Sequence, residues 1–255
     1  RIPRKRIHNF PLLGALKFLN RRVGNKFSDD RLSNFFSFLV TQTLRRPPQS
    51  TPWIFHGFSG YCEAPLKKAK KLGAITVIER GCPHIDEQLR LIAEEKSKLL
   101  DTPHSPHLTP VHERMKREYE IADYIKVPSR YSQRSFLERG FSPEKVIVVH
   151  DCNEKPTSYT SASRDLKKFT VLCTGGDFYR KGLIYLLQAW KKLNLSDAEL
   201  IFKGAVPKKF EHLLDADNIT RITRHLSDEE MTELYNKAHI FVLPSIDEGF
   251  GLVVA

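Results

Sequence analysis

The chain has 255 residues, 40% of them apolar, and 41 Lys+Arg against 30 Asp+Glu for a net charge of +11, a composition that can bury a core and is not that of a disordered chain. No apolar run approaches the roughly 20 residues of a membrane-spanning helix, and no basic start, apolar stretch and small-residue cleavage site stand near Arg1, so membrane-spanning and secreted proteins are disfavoured. The four cysteines, Cys62, Cys82, Cys152 and Cys173, lie far apart without a Cys-x-x-Cys pair, which argues against a zinc knuckle or disulfide scaffold and leaves the reduced thiols of a cytoplasmic protein as the expectation.

The basic excess is N-terminal: residues 1–50 hold eleven Lys/Arg against Asp29 and Asp30, whereas residues 151–255 hold 14 against 15. Arg1, Arg4, Lys5, Arg6, Lys17, Arg21 and Arg22 alternate with Ile2, Ile7, Phe10, Leu12, Leu13, Leu16, Phe18 and Leu19. That mixture suits an anionic membrane surface on the cytoplasmic side, and it equally suits a solvated basic face with a core-facing apolar stripe. A basic excess also fits nucleic acid, but no RNP, helix-turn-helix or zinc-finger pattern accompanies it, and no nucleic-acid partner is expected.

Residues 28–44 predict a helix, with Ser28 and Asp29 as caps, Leu32, Phe35, Phe36, Leu39 and Val40 at helical spacing, and Pro47-Pro48 ending the pattern. A strand over 53–56 closes at Gly57, a helix over 63–72 stops at Gly73, and Ala74 to Glu79 reads as a buried parallel strand. An amphipathic helix carries Ile85, Leu89 and Ile92 through Glu95; residues 101–112 read as loop, and a helix over 113–122 leads into the strand Tyr124–Val127. Ser129 opens a helix that ends at Gly140, and Val146 to Val149 is a further strand. Such alternation of strand and helix is the pattern of a helix-covered parallel sheet.

Residues 153–168 are poor in apolar side chains and read as a linker, dividing a first domain, 1–152, from a second, 169–255. Beyond the linker the alternation restarts, with strands over 169–173, 199–202, 218–222 and 240–243 and helices over 183–193, near 208–214 and over 228–238. The apolar run Leu252-Val253-Val254-Ala255 reads as the middle of a buried element, so the sequence is expected to be a fragment.

Ligands of such sheets lie at the carboxyl ends of the strands. After the strand ending at Cys173 the loop Thr174-Gly175-Gly176-Asp177-Phe178-Tyr179-Arg180-Lys181-Gly182 places two cations at a helix start. The partial positive charge there makes them unfavourable by about 0.3–1 kcal/mol each unless an anion offsets it, as a diphosphate does. Cations that simply point into water are the alternative. After the last strand, Pro244-Ser245-Ile246-Asp247-Glu248-Gly249-Phe250-Gly251 sets carboxylates beside glycines, where sugar hydroxyls find acceptors and backbone amides find room; a plain turn also fits. His104, His107 and His112 lie in a Pro-rich loop without helical His-x3-His spacing, and no metal site is expected. His56 reads either as a group at a strand end or as a hydrogen-bonded core histidine.

In this order and spacing, Arg180-Lys181-Gly182, the segment Leu234 to Ser245 and Glu248-Gly249-Phe250-Gly251 resemble the family 4 glycosyltransferases; Glu118 to Ser129 and His56-Gly57 add to the likeness. The resemblance runs from about Trp53 to Ala255. It implies the GT-B architecture, two Rossmann-like α/β domains, the first lacking its N-terminal start and the second truncated at its C-terminal end. It further implies a retaining transferase using a nucleotide-diphosphate sugar as donor substrate, with no metal or other cofactor, and a glycan or lipid-linked acceptor. Arg180 and Lys181 then bind the donor diphosphate, Glu248 holds a sugar hydroxyl and the backbone of Gly249, Phe250 and Gly251 cradles the sugar. On the acceptor side, where relatives place a catalytic histidine after the strand 74–79, the candidates are Glu79, Arg80 and His84. A non-catalytic nucleotide-sugar or carbohydrate-binding protein of the same fold is the alternative. The chain departs from the family in carrying Gly175 six positions before the motif lysine, where many relatives have arginine, and His150-Asp151-Cys152-Asn153 in place of Gly-Val-Asp. The family's second motif glutamate and the Gly-rich loop after its first strand would fall beyond Ala255 and before Arg1.

Overall fold

The computed structural model describes residues 29–46, 52–152 and 168–254. The basic N-terminal stretch up to Ser28, most of the expected linker and Ala255 lie outside the described residues. The chain divides into two compact units, one of residues 1–85 and 108–149, the other of residues 86–107 and 150–255. Among the described residues no helix is long and apolar enough to cross a membrane.

In the first unit, α1 (Asp29–Thr43) precedes β1 (Ile54–Phe58), α2 (Glu63–Lys71) and β2 (Ile75–Glu79). After α3 (Ile85–Leu100) come α4 (Pro110–Ile121), β3 (Tyr124–Val127), α5 (Arg130–Leu137) and β4 (Val146–Val148). The four strands pair in parallel in the order β1-β2-β3-β4. Alternation decides their faces. Phe55, Ile78, Ile125, Val127 and Val146 are buried with Leu66, Ala69, Tyr119 and Phe136, whereas Ile54, Phe58, Ile75 and Ile147 on the other face are exposed. Gly73 and Gly140 adopt the left-handed φ that ends the helices before them, as expected.

Among the differences from the sequence reading, two boundaries move for a local reason and one helix is of another type. β1 does not close at Gly57 but runs to Phe58, because Gly57 serves the close approach of Cys62: a Cβ there would stand 2.4 Å from the Cys62 Sγ. α4 begins at Pro110, inside the expected loop, since Thr109 caps it and forms a capping box with His112. The segment Lys208–Leu214 is a 3-10 helix.

In the second unit β5 (Phe169–Thr174), α6 (Leu183–Leu193), β6 (Ala198–Lys203), β7 (Ile219–Ile222), α7 (Asp228–Lys237) and β8 (Ile240–Phe241) follow in chain order. The sheet is parallel with the order β7-β6-β5-β8. Its core is apolar: Leu172, Leu187, Leu200 and Phe202 are fully buried, with Trp190, Phe178 and Phe210 beside them. Because the strands grow outward from β5 to β7 and the chain then returns to β8 on the other side, the order reverses beside β5, and ligands of open α/β sheets bind at the carboxyl ends near such a reversal. Residues 86–107, placed before the linker by the sequence reading, cluster with this unit: Leu99 and Leu100 of α3 pack against its core.

Candidate functional site

β5 ends at Thr174, and the turn that follows is built by its own backbone. Lys181 N–H donates to the Asp177 carbonyl (2.8 Å), Gly182 N–H to the Tyr179 carbonyl (3.0 Å) and Arg180 N–H to Asp177 Oδ1 (3.0 Å). Gly182 has φ +62°, and a Cβ on it would lie 1.9 Å from the Pro244 carbonyl oxygen. Glycine therefore lets the start of α6 touch the loop after β8. Ile246 N–H then donates to the Arg180 carbonyl (3.0 Å) and the Arg180 guanidinium to the Asp247 carbonyl (3.2 Å).

This contact brings the two motifs together. The Lys181 ammonium pairs with Glu248 Oε1, Arg180 Nη1 lies 3.6 Å from Glu248 Oε2, and Ser245 Oγ donates to Glu248 Oε1 (2.8 Å). Glu248 thus supplies the anion that two cations at a helix start require. The side chains of Arg180, Lys181 and Glu248 are 21%, 17% and 24% exposed, so all three remain within reach of a ligand. Phe250 packs on the His150 ring, centroids 5.7 Å apart, Gly249 is buried, and Gly251 turns the chain with φ +76°.

Beside Lys181 a cavity of about 510 Å³ opens at the carboxyl ends of β5, β6 and β7. Its charged lining residues are Lys181, Lys203 and Arg221, with no carboxylate among the lining side chains. Such a set attracts a polyanion. Gly175, Gly176 and Gly204 leave part of the wall bare, and a Cβ on Gly175 would stand 2.7 Å from Lys181 Cγ, so glycine at that position is what lets the lysine stem lie across the strand end. Lys203 and Arg221 are not singled out by the sequence reading, although both stand at or beside strand ends, where the same rule that selected the 174–182 and 244–251 loops applies. Burial pushes the neighbouring Cys173 thiol up to about 11 against the pull of the Lys181 charge.

The residues expected on the acceptor side are all engaged within the first unit. Glu79 accepts from Lys126 Nζ (2.7 Å), its neighbour across the β2–β3 pair, and lies 3.0 Å from His56 Nε2. His56 sits mid-strand with its side chain half exposed, not in the core. Arg80 braces the turn after β2, donating from Nε to the Pro83 carbonyl (3.0 Å), and is largely buried. His84 is 4% exposed, its ring among Tyr119, Phe136 and Phe141 at centroid distances of 5.2, 4.9 and 5.9 Å. His84 thus packs in the aromatic part of the first unit's core. Among the described residues no three His, Cys, Asp or Glu side chains are grouped to hold a metal, and His112 serves the α4 capping box.

Residues 155–255 match the family model described as glycosyl transferases group 1. No match to a curated protein was found. Among solved structures, the chain is similar to the lipopolysaccharide outer core galactosyltransferase WaaB in its apo form (TM-score 0.54, 15% identity, 94% of this chain and 59% of that one). It is similar also to HepE of Anabaena, solved with UDP and glucose (TM-score 0.54, 12% identity, 79% and 55%), and to the α,α-trehalose 6-phosphate synthase of Burkholderia multivorans (TM-score 0.54, 12% identity, 88% and 56%). The chain therefore spans 55–59% of the length of these structures. Its two α/β units, each with a parallel sheet, share the GT-B fold of these structures, and the match to the glycosyl transferases group 1 model is confined to residues 155–255.

Proposed function

We propose that the protein is a retaining glycosyltransferase of family 4 that transfers a sugar from a nucleoside diphosphate sugar to a glycan or lipid-linked acceptor. The observation that carries this reading is the union of Arg180, Lys181 and Glu248 beside a cavity whose charged lining is wholly cationic. A nucleoside diphosphate fits that electrostatic pattern: the diphosphate meets Lys181 and Arg180, and the sugar beyond it lies at Glu248, whose carboxylate accepts from hydroxyls. Lys203, Arg221 and Thr223 also line the cavity, and in this reading they are left to meet the nucleoside. HepE, solved with UDP and glucose, supports a donor of this class.

Transfer passes through an oxocarbenium-like state in which the diphosphate leaves with growing negative charge. Cations aimed at the leaving oxygens stabilise that state more than the bound donor, and this difference lowers the barrier. Arg180 and Lys181 hold those positions. The leaving diphosphate itself takes the acceptor proton, so the scheme requires no general base from Glu79 or His84.

Titration of the full-length protein with the pairs UDP and UDP-glucose, GDP and GDP-mannose, and ADP and ADP-glucose tests the reading. At least one pair binds, and Arg180→Ala with Lys181→Ala weakens both of its members at least about tenfold and lowers transfer by about 10²–10³. Unchanged binding in the double variant refutes the assignment, and binding without transfer or hydrolysis identifies a binding module instead.

A further inference from the structure

We infer that Gln88, on α3, is a positioning residue of the donor site: its side-chain amide holds the buried Asp247 and through it sets the carboxylate of Glu248. The inference rests on the proposed donor reading and concerns a residue outside every motif that carries the family resemblance.

α3 is fixed to the second unit along its last two turns. Leu99 and Leu100 pack against the core, Tyr185 Oη of α6 donates to Glu95 (2.5 Å) and accepts from Lys98 Nζ (2.9 Å), and Lys96 Nζ stands 5.2 Å from the centre of the Tyr179 ring, the residue before Arg180. A helix held there is a rigid rod, and Gln88 lies on it about 17 Å upstream of Leu99 at 1.5 Å per residue. At that end Gln88 Nε2 donates to Asp247 Oδ2 at 2.7 Å.

Asp247 is 2% exposed, and a carboxylate so deeply buried is stable only while its oxygens are satisfied. It is also the hub of the loop: its carbonyl accepts from the Arg180 guanidinium, its carboxylate accepts from Gln88, and the next residue is Glu248. Without the Gln88 amide the buried carboxylate loses one donor. Turning Asp247 toward water relieves that loss, and the turn carries the adjoining Glu248 out of register with Lys181. Glu248 is assigned to the sugar and Lys181 to the diphosphate, so the damage falls on the sugar end of the donor.

The test compares a nucleoside diphosphate with its sugar conjugate, using in the full-length protein whichever of the three pairs above the wild type binds, with calorimetric titration as readout. Gln88→Glu, which sets a second carboxylate against Asp247, weakens the sugar conjugate about tenfold or more and leaves the nucleoside diphosphate within about twofold. Gln88→Glu combined with Asp247→Asn restores the amide–carboxylate pair with its roles exchanged and returns the conjugate to within about threefold of wild type. Gln88→Ala, which adds no charge, shows the same selective loss and serves if the double variant does not fold. The inference is overturned if Gln88→Glu and Gln88→Ala leave the ratio of the two affinities at its wild-type value, or if the folded double variant shows no recovery. Lys181→Ala separates the two levels of argument: it weakens both members of the pair if the donor reading holds, whatever Gln88 does. If the wild type binds no member of any pair, donor reading and inference fall together.

Discussion

At Gly182 the backbone of the turn after β5 meets the Pro244 carbonyl, and no side chain fits between them. The positive φ of 62° adds a second requirement for glycine at the same position. Gly182→Ala is expected to destabilise the protein by about 2–4 kcal/mol, from overlap and left-handed strain together, and to weaken nucleoside diphosphate sugar binding, because the loops bearing Lys181 and Glu248 must part. Gly73→Ala is the control, with φ +82° but no atom within 4 Å of the added methyl, and costs about 1 kcal/mol. Urea unfolding and titration of both variants check the pair. The local placement of some residues was legible in the sequence: Arg180 and Lys181 stand together at a helix start, and Glu248 stands beside glycines after a strand. Gln88 was not legible, since 159 positions separate it from Asp247 and its own surroundings are those of any amphipathic helix. The surroundings of His84 were not legible either, because its neighbours in sequence, Pro83 and Ile85, do not show the three aromatic rings that enclose it.

α4 shows how one helix positions a loop on another part of its unit. Glu118 is fully buried, and its two oxygens accept from the N–H groups of Gly60 (2.5 Å) and Cys62 (2.6 Å), while Arg114, one turn earlier, donates from Nε to the Gly60 carbonyl (2.9 Å). Burial raises the Glu118 carboxyl above its ordinary range although the two amides and Arg114 pull it down. It also pushes the Cys62 thiol beneath the loop up to about 12, with the Glu118 charge adding to the effect. Glu118→Gln keeps the shape but turns one acceptor into a donor facing an amide; the buried mismatch is expected to cost about 1–3 kcal/mol, read from the urea midpoint. Most elements were visible as periodic apolar runs closed by Gly73, Gly140 or a capping serine. Those that shifted did so where a local signal was outvoted: Thr109-Pro110 starts α4 within a stretch whose composition is that of a loop, and Gly57 continues β1 because its missing side chain leaves room for Cys62.

For the molecule as a whole, charge and acid stability are linked. Burial alone would raise the carboxyls of Glu63, Asp123 and Glu199, but hydrogen bonds and charge from Arg117 and Lys67, from Lys70 and Thr76, and from Lys237, Thr170 and Lys168 outweigh it and hold all three below their ordinary values of 4.5, 3.8 and 4.5. A carboxyl with a lowered native value stabilises the fold above its unfolded value and loses that contribution as protons reach the native state. The contributions of Glu63 and Glu199 are therefore present above pH 4.5 and that of Asp123 above pH 3.8, and each declines as the pH falls from there through the lowered native value, while Glu118, shifted the other way, opposes the loss. With a net charge of +11 already present near neutrality, acid adds self-repulsion. The urea midpoint is expected to be lower at pH 3 than at pH 6, and Asp123→Asn to show a smaller drop between the two; an equal drop removes Asp123 from this account.

The order of residues by itself determined the class of the fold and the candidate donor loops, because both follow from short-range regularities: apolar alternation sets strands, helical spacing sets faces, and strand ends set where charged loops gather. Only the tertiary structure decided which charges meet. Lys181 finds Glu248 across 67 positions, Lys203 and Arg221 turn toward one cavity from separate strands, and α3 leaves the strands that flank it in sequence to pack on the core of the second unit. The physical reason is that burial and electrostatic pairing act through space and close over segments of any length, at a chain-entropy cost that rises only slowly with their separation.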